Sequence, residues 1–245
     1  MQINAASDRS RYGQSTMWSV VLAAGSTDSV VARPALQKLC ETYWRPLYAF
    51  ARKQGFNSAD SEDLVQSFFA SLLERNGLRG LDKAKGRFRS FLLASLRNHI
   101  SNFRVHQNAL KRGGGKEIIS LDAASAEERF AKEPVDPNIT PEKYFDRQWA
   151  LALLDRTMAR LREEYAGEGK AELFAALHDS IAGDRIDGGY AALGEKIGMT
   201  EGAIKVAVHR LRGRYRLVIQ EEVAATTSSP AEAEDELREL FAALA

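Results

Sequence analysis

Apolar side chains recur three and four residues apart in one stretch after another, and this pattern fixes the fold class of the 245-residue chain. Leu36, Leu39, Cys40, Tyr43, Trp44, Leu47 and Tyr48 fall on one helical stripe. Val65, Phe68, Phe69, Leu72 and Leu73 form a second, and Phe88, Phe91, Leu92, Leu96, Ile100 and Phe103 a third. Further on, Leu151, Leu154, Met158, Leu161 and Tyr165 lie on a fourth, followed by Leu173, Phe174, Leu177 and Ile181. Strand-like alternation is almost absent and β-branched runs are short, so the expectation is an all-α protein. Within it, Met17 to Ala24 forms a short helix ended near Gly25. Pro46 should bend or restart the first long helix. The acidic Ser58 to Asp63 segment suits the start of the second, and Asn76-Gly77 closes it.

The periodicity fails from Ala109, through KRGGGKE and a stretch holding Pro134, Pro137 and Pro141, and returns near Asp146. Two small helical domains joined by a long linker follow. The expected boundaries are a mobile start over 1–15, a first domain over 16–108, a linker over 109–146, a second domain over 147–222 and a tail over 223–245. Gly183 to Gly189 reads as a turn within the second domain. In the tail a polar ATTSSPAEAE spacer precedes ELRELFAALA, whose Leu237, Leu240, Phe241 and Leu244 have the spacing of a docking helix.

Several function classes drop out. The one cysteine, Cys40, lies on an apolar stripe and reads as a core thiol. The four histidines share no ligand spacing with it or with each other, so no metal and no cofactor is expected; His106 and His178 read as surface or cap residues. Neither RGGGKE nor GEGKAE completes a phosphate loop, no nucleophile elbow occurs, and no catalytic residue is assigned. No apolar run reaches the ~18–20 residues of a membrane span, and the N-terminus lacks the order of a secretory signal. The expectation is a cytoplasmic non-enzyme with no membrane insertion.

Charge supplies the positive evidence. The formal net charge is only +1, yet it is segregated. Arg79, Lys83, Lys85, Arg87, Arg89, Arg97, Arg104, Lys111, Arg112 and Lys116 face one acid, Asp82, while Glu117 to Asp146 and the segment from Glu221 onward are acidic. Basic stripes on helices are the footprint of phosphate neutralisation, although solvated faces give the same pattern. The third helix should expose Arg89, Arg97, Asn98, Asn102 and Arg104, residue types suited to base edges and phosphates. From Tyr190 to Arg216 the chain reads YAALGEKIGMTEGAIKVAVHRLRGRYR. A short helix, a turn at Gly198-Met199 and a second helix capped by Thr200 make a helix-turn-helix. With Ile204, Ala207, Val208 and Leu211 inward, Glu201, Gly202, Lys205, His209 and Arg212 face out.

Taken together, LCETYWRPLYAFAR, DSEDLVQSFFASLLE and GRFRSFLLASLRNHISNFR, within 36–104, resemble conserved region 2 of the sigma-70 family in its extracytoplasmic-function type. Residues 147–220 resemble region 4 of the same family, and both ends look like subgroup extensions. The resemblance implies a factor that brings core RNA polymerase to promoter DNA and helps melt it. Asp60, Glu62, Asp63, Leu64, Val65 and Gln66 would dock on the clamp helices of the β′ subunit, and region 4 would sit on the β flap. Asn98 would capture a flipped minus-10 base, with Asn102 and Arg104 on the reading helix and Arg87, Arg89 and Arg97 supplying charge to the single strand. Thr200, Glu201, Lys205, His209 and Arg210 would read the minus-35 element, with Arg212, Arg214 and Arg216 on phosphates. The acidic part of the linker would mimic nucleic acid in the polymerase cleft.

Two departures matter. Ser67 stands where the family often carries an acid, and Ser61 interrupts the acidic run; both are candidate phosphorylation sites for a Ser/Thr kinase. The basic run that often follows the minus-10 helix is diluted to VHQN at 105–108. An anti-sigma partner, or the tail acting as a brake, are further expectations. A free-standing helix-turn-helix regulator and a helical adaptor with merely solvated basic faces are the competing readings.

Overall fold

The computed structural model describes residues 23–24, 26, 29–74, 87–109, 127–128, 130–131, 138–182 and 189–245. Of the helix expected from Met17 only Ala23 and Ala24 fall among them; the Asn76-Gly77 stop, the Gly183 to Gly189 turn up to residue 188, and Arg79, Lys83, Lys85, Lys111, Arg112 and Lys116 lie outside. So do the side chains of Leu36, Leu73 and residues 105–109. Every regular element among the described residues is helical. The chain divides into two compact units, Met1–Pro137 with Ala225–Ser228, and Asn138–Ala224 with Ser229–Ala245.

In the first unit, α1 (Ser29–Lys53) runs unbroken through both Pro34 and Pro46. The restart expected at Pro46 does not occur. A proline in a helix interior costs ~3 kcal/mol, but here Leu39, Cys40, Tyr43, Trp44, Leu47, Tyr48, Phe50 and Ala51 are buried on both sides of it. Each large apolar side chain so buried contributes ~1.5–3 kcal/mol, enough to hold the two halves on one axis. Helix α2 (Ser58–Glu74) packs along α1 and buries Leu64, Val65, Phe68, Phe69 and Leu72. Its start is fixed by Asn57, whose side-chain oxygen accepts the Asp60 N–H at 2.8 Å. Helix α3 (Phe88–Ala109) closes the bundle against α2 through Phe88, Leu92, Leu96 and Ile100. Phe88 meets the Tyr43 ring at 5.3 Å, and Phe103 meets Phe56 edge-on at 6.1 Å.

Two segments expected to be loose belong to this unit. Residues 127–128 and 130–131 of the acidic linker are helical. Glu127 accepts from Arg52 Nε at 3.0 Å, Arg52 Nη2 at 2.9 Å and the Tyr48 hydroxyl at 2.5 Å. Arg52 also lies 4.8 Å over the Phe130 ring. From the tail spacer, the Thr226 carbonyl accepts the Phe88 N–H at 3.4 Å, and Thr226 and Thr227 are buried. A helix leaves its first amides without internal partners, so a distant strand of chain serves the first of them here.

The second unit starts earlier than the expected Asp146. Helix α4 (Pro141–Gly167) opens with Thr140 accepting the Lys143 N–H at 3.3 Å and proline in its first turn. Pro141, which reads as a linker signal, is a helix-start residue because its missing N–H is one that no helix would use. Helix α5 (Ala171–Leu177) and a 3-10 turn (His178–Ala182) lead to α6 (Gly189–Ile197) and α7 (Glu201–Ala224). Their core is Leu161, Phe174, Leu177, Leu193, Ile204, Val208, Leu211 and Val218. Helix α8 (Pro230–Ala242), capped by Ser229, packs on α7 and α4 and buries Leu240, while Phe241 stays 49% exposed. The tail stripe is therefore only partly used inside its unit.

Candidate functional site

Two surfaces carry the residues singled out in the sequence, one in each unit. In the first, Arg97, Asn98, Asn102 and Arg104 are exposed on the outer side of α3, with Asn98 and Asn102 one turn apart. Arg104 reaches back to donate to the Gln54 carbonyl at 3.3 Å and stacks 5.2 Å over Phe56. Arg89 departs from expectation. It is 7% exposed and cannot present its guanidinium to solvent as the stripe pattern suggests. It sits one residue after the buried Phe88, whereas Arg87 is half-buried.

The neighbouring surface is the start of α2. Asp63 is exposed and Asp60, Glu62 and Gln66 are half-buried. The Asp60 carboxylate accepts from the Asn57 amide at 2.9 Å, and Glu62 accepts from Gln66 at 3.2 Å. Leu64 and Val65 are 0% exposed, so they are core, and the part of this stretch that a partner can touch is Asp60, Glu62, Asp63 and Gln66. Ser61 is also 0% exposed, with a hydroxyl that finds no hydrogen-bond partner among the described residues. A kinase cannot reach it in the folded chain, and a phosphate there would have to enter the core. Ser67 is engaged as well. Its hydroxyl donates to the Leu64 carbonyl at 3.0 Å and meets His99 Nε2 at 2.9 Å.

In the second unit the turn between α6 and α7 is built by close backbone approach. A Cβ added to Gly194 would stand 2.4 Å from the Met199 carbonyl oxygen. The Met199 N–H donates to the Gly194 carbonyl at 2.8 Å, and Gly198 takes φ +71°, a left-handed conformation that favours glycine. Thr200 caps α7, accepting the Ala203 N–H at 3.2 Å. Outward from α7 point Glu201, Gly202, Lys205, His209 and Arg210, all exposed. Lys205 pairs with Glu201 at 2.6 Å, and the hydrogen bond from that carboxylate raises the ammonium above its ordinary pKa. Val206, 50% exposed on this helix, escaped the sequence reading because a β-branched apolar residue there looks like core. Its methyl groups suit contact with a thymine methyl.

Three arginines expected as phosphate anchors have different fates. Arg212 is half-buried and donates twice to the Ser180 carbonyl, at 2.9 and 2.6 Å. Arg214 forms a two-pronged pair with Glu164 of α4, at 2.8 and 2.7 Å, and reaches Glu221 at 3.2 Å. Hydrogen bonding to Arg214 holds the Glu164 carboxyl below the usual carboxylate range, and Arg214 is held well above the ordinary arginine value. Arg160 extends the network to Glu164, Glu221 and Glu222, and Arg156 pairs with Glu222 at 3.5 Å. The Arg214 network ties α7 to α4 and Arg212 ties α7 to the 3-10 turn, so both arginines are committed to the fold. Arg216 is exposed.

Among the described residues no group of His, Cys, Asp and Glu is placed to hold a metal ion, and no helix is long and apolar enough to cross a membrane. His178 sits at the end of α5, its Nδ1 2.9 Å from the Ala175 carbonyl. Comparison with known families bears on the first unit, where residues 39–109 match the family model described as Sigma-70 region 2. These residues form a sigma-70 region 2 domain. The match spans α1 from Leu39, all of α2 and all of α3, the three helices that carry the acidic and the Arg/Asn surfaces. No curated protein and no solved structure matches the chain.

Proposed function

We propose that this chain is a sigma factor of the extracytoplasmic-function type, with extensions at both ends, that directs core RNA polymerase to a set of promoters and has no catalytic activity of its own. The observation that carries the reading is the sigma-70 region 2 domain at residues 39–109, whose exposed chemistry suits that work. The start of α2 offers Asp60, Glu62, Asp63 and Gln66 to basic side chains of the β′ clamp. The outer side of α3 offers Arg97, Asn98, Asn102 and Arg104 to the minus-10 strand, where amides read a base that has left the stack and arginines hold its phosphates. In the second unit α6 and α7 form a region 4 helix-turn-helix. Glu201, Lys205, Val206, His209 and Arg210 face the minus-35 major groove, and Arg216 contacts phosphate. The protein works in the cytoplasm with polymerase and promoter DNA as its partners, without a cofactor.

The test is polymerase-dependent promoter selection. Core RNA polymerase, with and without the chain, is challenged with a DNA library, and the retained duplexes are probed for unpaired bases. Retained DNA sharing two spaced motifs, unpaired over the downstream one only when both proteins are present, supports the reading. Retention by the chain alone, with no effect of polymerase, replaces it with a free-standing helix-turn-helix regulator.

A further inference from the structure

The contact between α2 and α3 holds a polar cluster, His99 with Ser67 and Ser71, beside an apolar seam. From α3, Leu92, Leu96 and Ile100 are buried, and His99 sits beside them. Its Nε2 lies 2.9 Å from the Ser67 hydroxyl and its Nδ1 3.5 Å from the Ser71 hydroxyl, both on α2 and one turn apart. Each serine oxygen also lies within hydrogen-bond distance of a carbonyl of its own helix, Ser67 from Leu64 at 3.0 Å and Ser71 from Phe68 at 2.8 Å. A neutral imidazole carries one N–H and one lone pair, so it can donate to one serine oxygen and take the proton of the other. The Phe68 ring meets the imidazole edge-on at 5.7 Å, and Phe103 lies at 6.4 Å. The ring is thus held in position and orientation by both helices.

An apolar seam alone permits small rotations of one helix about its axis, because dispersion contacts have no direction. A single directional hydrogen bond removes that freedom. His99 lies next to Asn98 and three residues before Asn102, so the azimuth it fixes is the one at which both amides face outward. On α2 the bonded Ser67 follows directly on Gln66 and lies one turn after Asp63. We infer that His99, clasped by Ser67 and Ser71, is a positioning residue that locks the strand-reading face of α3 to the polymerase-facing helix α2, so that docking on polymerase and capture of an opened base share one rigid unit. This rests on the sigma-factor reading above. It also gives the Ser67 hydroxyl a part in the mechanism of its own.

The experiment uses the full chain with core RNA polymerase. The probe is a forked DNA with a randomised single-stranded minus-10 segment, enriched on the parent holoenzyme, together with its fully duplex form. His99→Leu should bind core polymerase within about twofold of the parent. It should open the duplex probe and hold the pre-opened fork about five- to tenfold less well, the worth of one well-oriented hydrogen bond. His99→Gln, whose amide can donate to Ser67, should recover most of the loss. Ser67→Ala should give the same defect, and the Ser67→Ala/His99→Leu double variant no more than either alone. Parental duplex opening and fork binding by folded His99→Leu and by Ser67→Ala overturn the inference while the sigma-factor reading stands. A parent that does not bind core polymerase overturns both.

Discussion

Gly194→Ala tests the helix-turn-helix geometry at its tightest point. The added methyl carbon would stand 2.4 Å from the Met199 carbonyl oxygen and 3.4 Å from its carbon. Carbon-to-oxygen contacts settle at about 3.3–3.6 Å, so the turn has to retreat by about 1 Å. The obstacle is backbone, which cannot swing aside as a side chain can. Retreat strains the 2.8 Å bond from the Met199 N–H to the Gly194 carbonyl, and it moves Thr200, which caps α7. Overpacking costs about 1–3 kcal/mol and the weakened hydrogen bond about 1 kcal/mol. The gain from replacing glycine by alanine in a helix is at most about 1 kcal/mol. The net loss is about 1–3 kcal/mol, a fall of roughly 5–20 °C in the melting of a unit of this size. Gly213→Ala is the control, because it lies within α7 and its added carbon meets nothing within 4 Å. It should raise stability by about 0.5–1 kcal/mol. Thermal unfolding of the full chain followed by circular dichroism reads both. A Gly194→Ala variant as stable as Gly213→Ala would refute the close approach.

The arginines of α7 should separate by role. Arg214→Met should lower stability by about 1–3 kcal/mol in denaturant unfolding, whereas Arg216→Ala should leave stability unchanged and reduce the salt slope of DNA binding by about one. Because the folded pKa of Glu164 is depressed, its pairing with Arg214 contributes at neutral pH and is lost as the pH falls below the usual carboxylate range. Glu164→Gln should therefore flatten the stability curve on the acid side of the usual carboxylate range. Burial pushes the Cys40 thiol up to about 12, so a disulfide reagent at pH 8 should modify it only at the rate of unfolding; modification as fast as that of an exposed thiol would place it outside the core. Glu127→Ala should release the linker turn, seen as faster amide exchange at 127–131 with the exchange of α2 unchanged.

How much of this was legible in the sequence depends on the range of the interactions. The stripes through Tyr43, Phe68, Leu96, Leu161 and Val208 announced the helices and their inner faces, because a 3.6-residue period is a local property that burial only has to select. The Thr200 cap and the Gly198 turn were legible for the same reason. Pro46 misled because propensity counts the proline and not the aromatic burial on either side of it. Arg89, Arg212 and Arg214 misled because a basic residue on a helix looks alike whether it meets solvent, the Ser180 carbonyl or Glu164 of α4; only the pairing of helices decides. Leu64 and Val65 sat inside a stretch read as one docking surface, although a helix turns such a stretch through every direction. Glu127 and Thr226 were unreadable for a different reason. Their partners lie 75 to 79 and 138 positions away in sequence, and nothing in a polar linker marks which of its residues returns to the bundle.

The central claim is that the first unit docks on polymerase through the start of α2, and binding of the full chain to core RNA polymerase at moderate salt tests it most directly. The parent is compared with a variant carrying Asp60→Ala, Glu62→Ala and Asp63→Ala, with Leu64 and Val65 left in the core. The account predicts saturable binding by the parent and a loss of at least about tenfold in the folded variant, as expected when three carboxylates leave an electrostatic interface. Parental affinity in the variant would contradict the docking site, and no binding by the parent would contradict the claim itself.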